Sequence, residues 1–110
     1  MITVYLVSAE IDNSIVYKIG HTRRKPEDRI REFKTGNASS ITLINSYQSK
    51  WGTKVESFLH RQFKSKRLNG EWFALDESDI KSFYNLCERA NNNFMILSEY
   101  NSYIQDRKLL

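Results

Sequence analysis

The sequence predicts an α/β sandwich in which a central, mostly antiparallel three-stranded sheet is flanked by helices, with extra helices at the C-terminal end. Three observations predict it. Two β-branched and aromatic runs, "ITVYLVSA" at 2–9 and "IVYKIG" at 15–20, lie close enough to pair as a hairpin. Later segments carry apolar residues at helical spacing, with strand-like runs between them. A chain of 110 residues has room for one core and little more.

The first run places Ile2, Val4 and Leu6 on one face and Tyr5 and Val7 on the other, which suits a strand covered on both sides. Glu10-Ile11-Asp12-Asn13-Ser14 supplies turn chemistry before the second run. Pro26 followed by Glu27 and Asp28 predicts a helix start, because proline suits the first turn and carboxylates favour its positive end. Ile30 and Phe33 give that helix an apolar side, and Thr35-Gly36-Asn37 should stop it. Residues 41–47, "ITLINSY", predict the third strand.

Thr53-Lys54-Val55-Glu56 has the spacing of a capping box opening a second helix, with Val55, Phe58, Leu59 and Phe63 inward and an end near Arg67. After Asn69-Gly70, "EWFAL" reads as extended, and Asp76 begins a helix carrying Ile80, Phe83, Tyr84 and Cys87. Asparagines 91–93 are expected to interrupt it ahead of a last helix whose stripe, Leu97, Tyr100, Tyr103 and Ile104, completes the core or forms a dimer interface, the core being the favoured reading. Residues 1–75 then form the core unit and 76–110 a helical extension packed on it.

Cys87 is the one cysteine, so an intramolecular disulfide and a cysteine zinc site are excluded, and its apolar setting predicts burial. No apolar run reaches the roughly 18 residues needed to span a bilayer, and no signal peptide is visible, so a cytoplasmic monomer or homodimer without membrane attachment is expected. Net charge is +4, distributed as +6 over residues 1–75 and −2 over 76–110. The basic part suits a polyanion such as DNA. No P-loop, metallopeptidase helix or nucleophile elbow is present.

"VYL" at 4–6, "KIG" at 18–20, Arg29 early in the next helix, Glu56 in the second and "LNGEWFAL" at the end of the region together resemble the GIY-YIG nuclease superfamily. The resemblance is to a compact phage and bacterial branch in which the second motif reads KIG and a Gly-Glu-Trp-Phe sequence follows. It implies a DNA endonuclease using Mg²⁺ or Mn²⁺. It implies Tyr5 as the water-activating tyrosine, Arg29 on the scissile phosphate, Glu56 as metal ligand, and Asn69 as the counterpart of an asparagine beyond the glutamate. Lys18 stands where founding members have tyrosine, His21 where some have lysine, and Phe33 where many have a proton-transferring side chain. Lys18 and His21 then assist water activation or charge stabilisation.

These residue types fit phosphodiester hydrolysis, which needs an activated water and relief of negative charge on phosphate and leaving oxygen. The cations Lys18, His21 and Arg29 are expected to lower the pKa of Tyr5 from about 10. One carboxylate can hold a hydrated Mg²⁺ as Lewis acid, and arginine's fork matches two phosphate oxygens. Tyr17, Arg23, Arg24, Lys25, His60, Lys64, Arg67 and Asn69 are the candidate nucleic-acid contacts. Competing readings make Tyr5 a strand aromatic and Glu56 the N3 member of the capping box, which the local pattern alone favours. The alternative function is a non-cleaving nucleic-acid-binding or protein-interaction module on a nuclease scaffold.

Overall fold

The computed structural model describes residues 1–32 and 40–108, with side chains described as far as residue 101. Phe33, the Thr35-Gly36-Asn37 stop signal and the side chains of Tyr103 and Ile104 lie outside the described residues. Five strands and three helices are described: β1 (Ile2–Ile11), β2 (Ser14–Thr22), α1 (Pro26–Arg31), β3 (Ser40–Ser49), α2 (Gly52–Gln62), β4 (Arg67–Asn69), β5 (Trp72–Phe73) and α3 (Glu77–Lys108). The sheet order is β3-β1-β2-β5-β4, and every neighbouring pair is antiparallel.

The hairpin forms because Asp12 and Asn13 both adopt positive φ, 51° and 64°, the two-residue geometry whose twist matches the strands it joins. Side-chain alternation along β1 then makes two packed faces. Val4 and Leu6 join Ile19, Tyr47, Val55, Leu59, Phe63, Phe73, Phe83, Cys87 and Ala90 in the main core under α2 and α3. Tyr5 and Val7 pack with Ile30 of α1 on the other face. Cys87 is buried, as expected.

The sheet has five strands rather than the expected three. The added pair is too short for alternation to show: β4 is exposed throughout, and β5 has two residues. Gly70, at φ +57°, turns the chain between them, and Arg67 Nε donates to the Gly70 carbonyl at 2.7 Å.

Two local expectations are corrected. Helix α2 begins at Gly52, its N-cap Trp51 makes no side-chain cap, and Glu56 is buried rather than folded back on the helix end. The reciprocal box lies instead at α3, where Asp79 N donates to Asp76 Oδ1 and Asp76 N to Asp79 Oδ2, both at 2.9 Å. Further along, asparagines 91–93 do not break the helix, and one 32-residue helix replaces the expected two. Ser49 Oγ donates to Asn91 Oδ1 at 2.5 Å, so a residue of low helix propensity is held by a tertiary contact. Beyond that contact Leu97 and Tyr100 are more than half exposed, against the expectation that they complete the core. Among the described residues no helix is long and apolar enough to cross a membrane.

Candidate active site

The site forms where β2 outruns its neighbour. Strand β5 pairs with β2 only at Tyr17 and Lys18, and Ile19 N donates to the Glu71 carbonyl at 3.2 Å, after which residues 20–22 pair with β1 alone. Gly20 faces Tyr5 across the hairpin, and its missing side chain makes room for the phenol ring. Groups from both faces of the sheet converge at this open edge.

From the α1 side come Tyr5, Lys18 and Arg29. Pro26 opens α1 with its first-turn acids, and the Lys25 carbonyl accepts from Asp28 N and Arg29 N at 3.0 and 3.3 Å. The Arg29 guanidinium donates to the Tyr5 hydroxyl and, through Nη1, to Glu32 Oε2 at 2.6 Å. Burial nevertheless pushes the Tyr5 phenol up to about 12, with Arg29 offsetting only part of it. The expected lowering of this pKa is therefore corrected: desolvation of a 1% exposed ring outweighs the cations.

From the α2 side come Glu56 and His60, one turn apart on one helix face. His21 Nδ1 donates to Glu56 Oε2. His60 Nε2 donates to the Ile19 carbonyl at 2.9 Å and lies 3.4 Å from Glu56 Oε1. Its ring meets Phe73 edge to face, with centroids 5.0 Å apart.

Glu71, just ahead of β5, completes the group, and its local sequence alone does not mark it as a site residue. Lys18 Nζ pairs with Glu71 Oε2 at 3.2 Å and lies 5.6 Å from the Trp72 ring centroid. Burial and the neighbouring Glu71 hold the Glu56 carboxyl above the usual carboxylate range, against the pull of His21. Burial opposes ionisation of Glu71 too, but hydrogen bonds from Glu56 and Lys18 outweigh it and hold that carboxyl low. The two neighbouring carboxyls are thus pushed in opposite directions, Glu56 up and Glu71 down.

Glu56, His60 and Glu71 each offer a ligand atom, all within 4.8 Å of one another. Ligands about 2.0–2.2 Å from one divalent ion are spaced within that limit, and two carboxylates with one imidazole are an ordinary donor set, so the residues fit a metal. His60 thus stands among the candidate ligands.

The remaining candidates lie apart. Tyr17 packs half-buried against the main core. Arg23 and Lys25 are exposed ahead of α1, while Arg24 Nη2 donates to Glu32 Oε1 at 2.5 Å. Lys64 and Asn69 are exposed around β4, and Arg67 holds the Gly70 turn. Phe33 lies outside the described residues.

Fold and site define a small α/β domain with a five-stranded antiparallel sheet and a carboxylate–imidazole group at its open edge. The chain belongs to the T5orf172 domain family, whose model matches residues 2–88. This overturns membership of the GIY-YIG nuclease superfamily, which the short VYL, KIG and GEWF stretches suggest. Each of those stretches is three or four residues of a kind this sheet uses for packing: strand aromatics, a glycine under Tyr5, and Phe73 in the core. The chain is also 32% identical over 102 residues to the uncharacterized protein 460R of Invertebrate iridescent virus 6, covering 87% of this chain and 44% of that protein. The chain thus spans under half the length of that relative. No solved structure matches significantly.

Proposed function

We propose that the protein is a divalent-metal-dependent endonuclease hydrolysing phosphodiester bonds in DNA. The observation that supports this reading is the convergence on one open strand edge of the Tyr5 hydroxyl, the Arg29 fork bound to it, and the Glu56, His60 and Glu71 group. Each supplies a different requirement of the reaction.

Arg29, fixed by Tyr5 and Glu32, presents a planar cation to the non-bridging oxygens of the scissile phosphate, where charge grows in the transition state. Tyr5 is neutral at physiological pH and orients the attacking water by hydrogen bonding. The water's proton passes to His21, the most exposed histidine of the group at 40% of its side chain. Lys18 balances the charge of Glu71 and sets its carboxylate toward Glu56. Glu56, Glu71 and His60 would hold Mg²⁺ or Mn²⁺, which when bound would supply Lewis acidity at the departing oxygen.

A plasmid-nicking assay with Mg²⁺ or Mn²⁺ tests the reading. Nicking by the purified protein, lost in Glu56→Gln and in Arg29→Ala, supports it. An inert protein with intact fold defeats it.

The second reading is a nucleic-acid-binding module that does not cleave. The burial that pushes the Tyr5 phenol up to about 12 argues against Tyr5 itself taking the water's proton, so cleavage would rest on His21 alone for that step, and this reading dispenses with the step. DNA binding that survives Glu56→Gln without any nicking distinguishes this reading from the first.

A further inference from the structure

The flank of α2 turned away from the Glu56 group carries a second constellation. At 100° per residue, Lys54, Phe58 and Arg61 lie roughly 140–200° around the helix from Glu56. There α2 and α3 leave an open recess of about 300 Å³ lined by Thr53, Lys54, Ser57, Arg61 and Phe94, none of them acidic. Lys54, Lys50 and Arg89 near this flank stand over aromatic rings. Lys54 Nζ is 5.5 Å from the Trp51 centroid and 5.9 Å from the Phe94 centroid, and Lys50 Nζ is 5.2 Å from Trp51. Arg89 Cζ lies 5.7 Å from the Phe58 centroid. None of these residues carries the site described above.

Solvated lysines on an ordinary helix surface have acidic neighbours at i±4 or spread into water. Here Lys54 and Arg61 line one recess with the Phe94 ring and the Thr53 hydroxyl, and Lys54 stands over both Trp51 and Phe94. Phosphate oxygens match Lys54 and Arg61, and the flat Phe94 ring, half-buried in the groove wall, matches a base or sugar face.

We propose that the α2/α3 groove is a second nucleic-acid contact, which holds the phosphate-sugar strand running around α2 from the Glu56 site. The proposal rests on the reading that the protein acts on DNA, but it concerns binding and not cleavage. The groove adds affinity through phosphate neutralisation and one stacking position, with no base-edge reading.

Fluorescence anisotropy with a labelled single-stranded oligonucleotide and its duplex, in EDTA and over a range of salt, tests it. The double variant Lys54→Glu/Arg61→Glu should bind at least tenfold more weakly and lower the slope of log K against log salt by about two. Glutamate at position 54 falls in the first turn of α2, where a negative charge favours the helix, and Lys54→Gln/Arg61→Gln should show the same loss of slope. Phe94→Ala should weaken the single strand roughly fivefold or more and the duplex less. Unchanged affinity and slope in both double variants overturns the proposal. So does polyglutamate competing as well as unlabelled DNA, which would mark the groove as a site for acidic protein. Groove-dependent binding without nicking leaves this inference standing and defeats the nuclease reading. Nicking with an unaltered salt slope in the variants does the reverse.

Discussion

Tyr5 lies directly over Gly20: a Cβ built at position 20 would sit 2.5 Å from the tyrosine Cζ, closer than any real contact. Strand, glycine and buried phenol are therefore one packed unit, and Arg29 is anchored to it. Gly20→Ala should cost about 1–3 kcal/mol through overpacking. Urea denaturation measures it, and the penalty should shrink in a Tyr5→Ala background because the clash partner is gone.

Alkali should unfold the domain. Burial pushes Tyr5 and the Cys87 thiol up to about 12, and burial together with Glu88 raises Tyr47. A group whose folded pKa is raised stabilises below its unfolded value and loses that contribution as pH climbs through the folded one. With unfolded values of about 8.5 for the thiol and about 10 for phenols, stability should fall from about pH 9 and vanish toward pH 12. Far-ultraviolet circular dichroism and tyrosinate absorbance at the same pH steps should change together for the buried tyrosines. Ionisation that precedes loss of helix signal would contradict the burial. At pH 8 Cys87 should react with a thiol reagent only after denaturant is added.

The hairpin turn should tolerate glycine and reject branching. Asn13 holds φ 64°, where a β-branched side chain clashes with its own backbone. Asn13→Val should destabilise by about 1–2 kcal/mol, and Asn13→Gly should be neutral or slightly stabilising, both read from thermal melts.

Much of the fold was legible because its determinants are local. Alternation in β1 correctly separated Val4 and Leu6 from Tyr5 and Val7, and Pro26 with its acids marked α1. Tyr5, Lys18, His21, Arg29 and Glu56, named from sequence, do come together. What failed depends on contacts far along the chain. Thr53 and Glu56 have capping-box spacing, yet Glu56 is drawn inward by His21, 35 residues away, and the working box is made by Asp76 and Asp79. Asparagines 91–93 look like a break until Asn91 meets Ser49. Glu71 is not legible in the sequence because it joins the site only through the pairing of Lys18 with Trp72; the one local signal is an acid abutting a core aromatic pair. The exposed ends of Leu97 and Tyr100 show the converse, a helical stripe continuing past the surface that could cover it.

The two carboxylates should act together on a cation. Isothermal titration with Mn²⁺ should give one site, weakened tenfold or more by Glu71→Gln and by Glu56→Gln, with His60→Ala reducing Mn²⁺ affinity more than Mg²⁺ affinity because imidazole suits the softer ion. Equal binding by wild type and Glu71→Gln would remove Glu71 from the ligand set.

The most direct test of the site is crystallographic. A crystal soaked with Mn²⁺ should show an anomalous peak between the Glu56, Glu71 and His60 side chains, beside Tyr5 and Arg29. No peak there in a well-ordered soaked crystal, or one only on surface carboxylates elsewhere, would contradict a metal-assisted phosphodiester site at this strand edge.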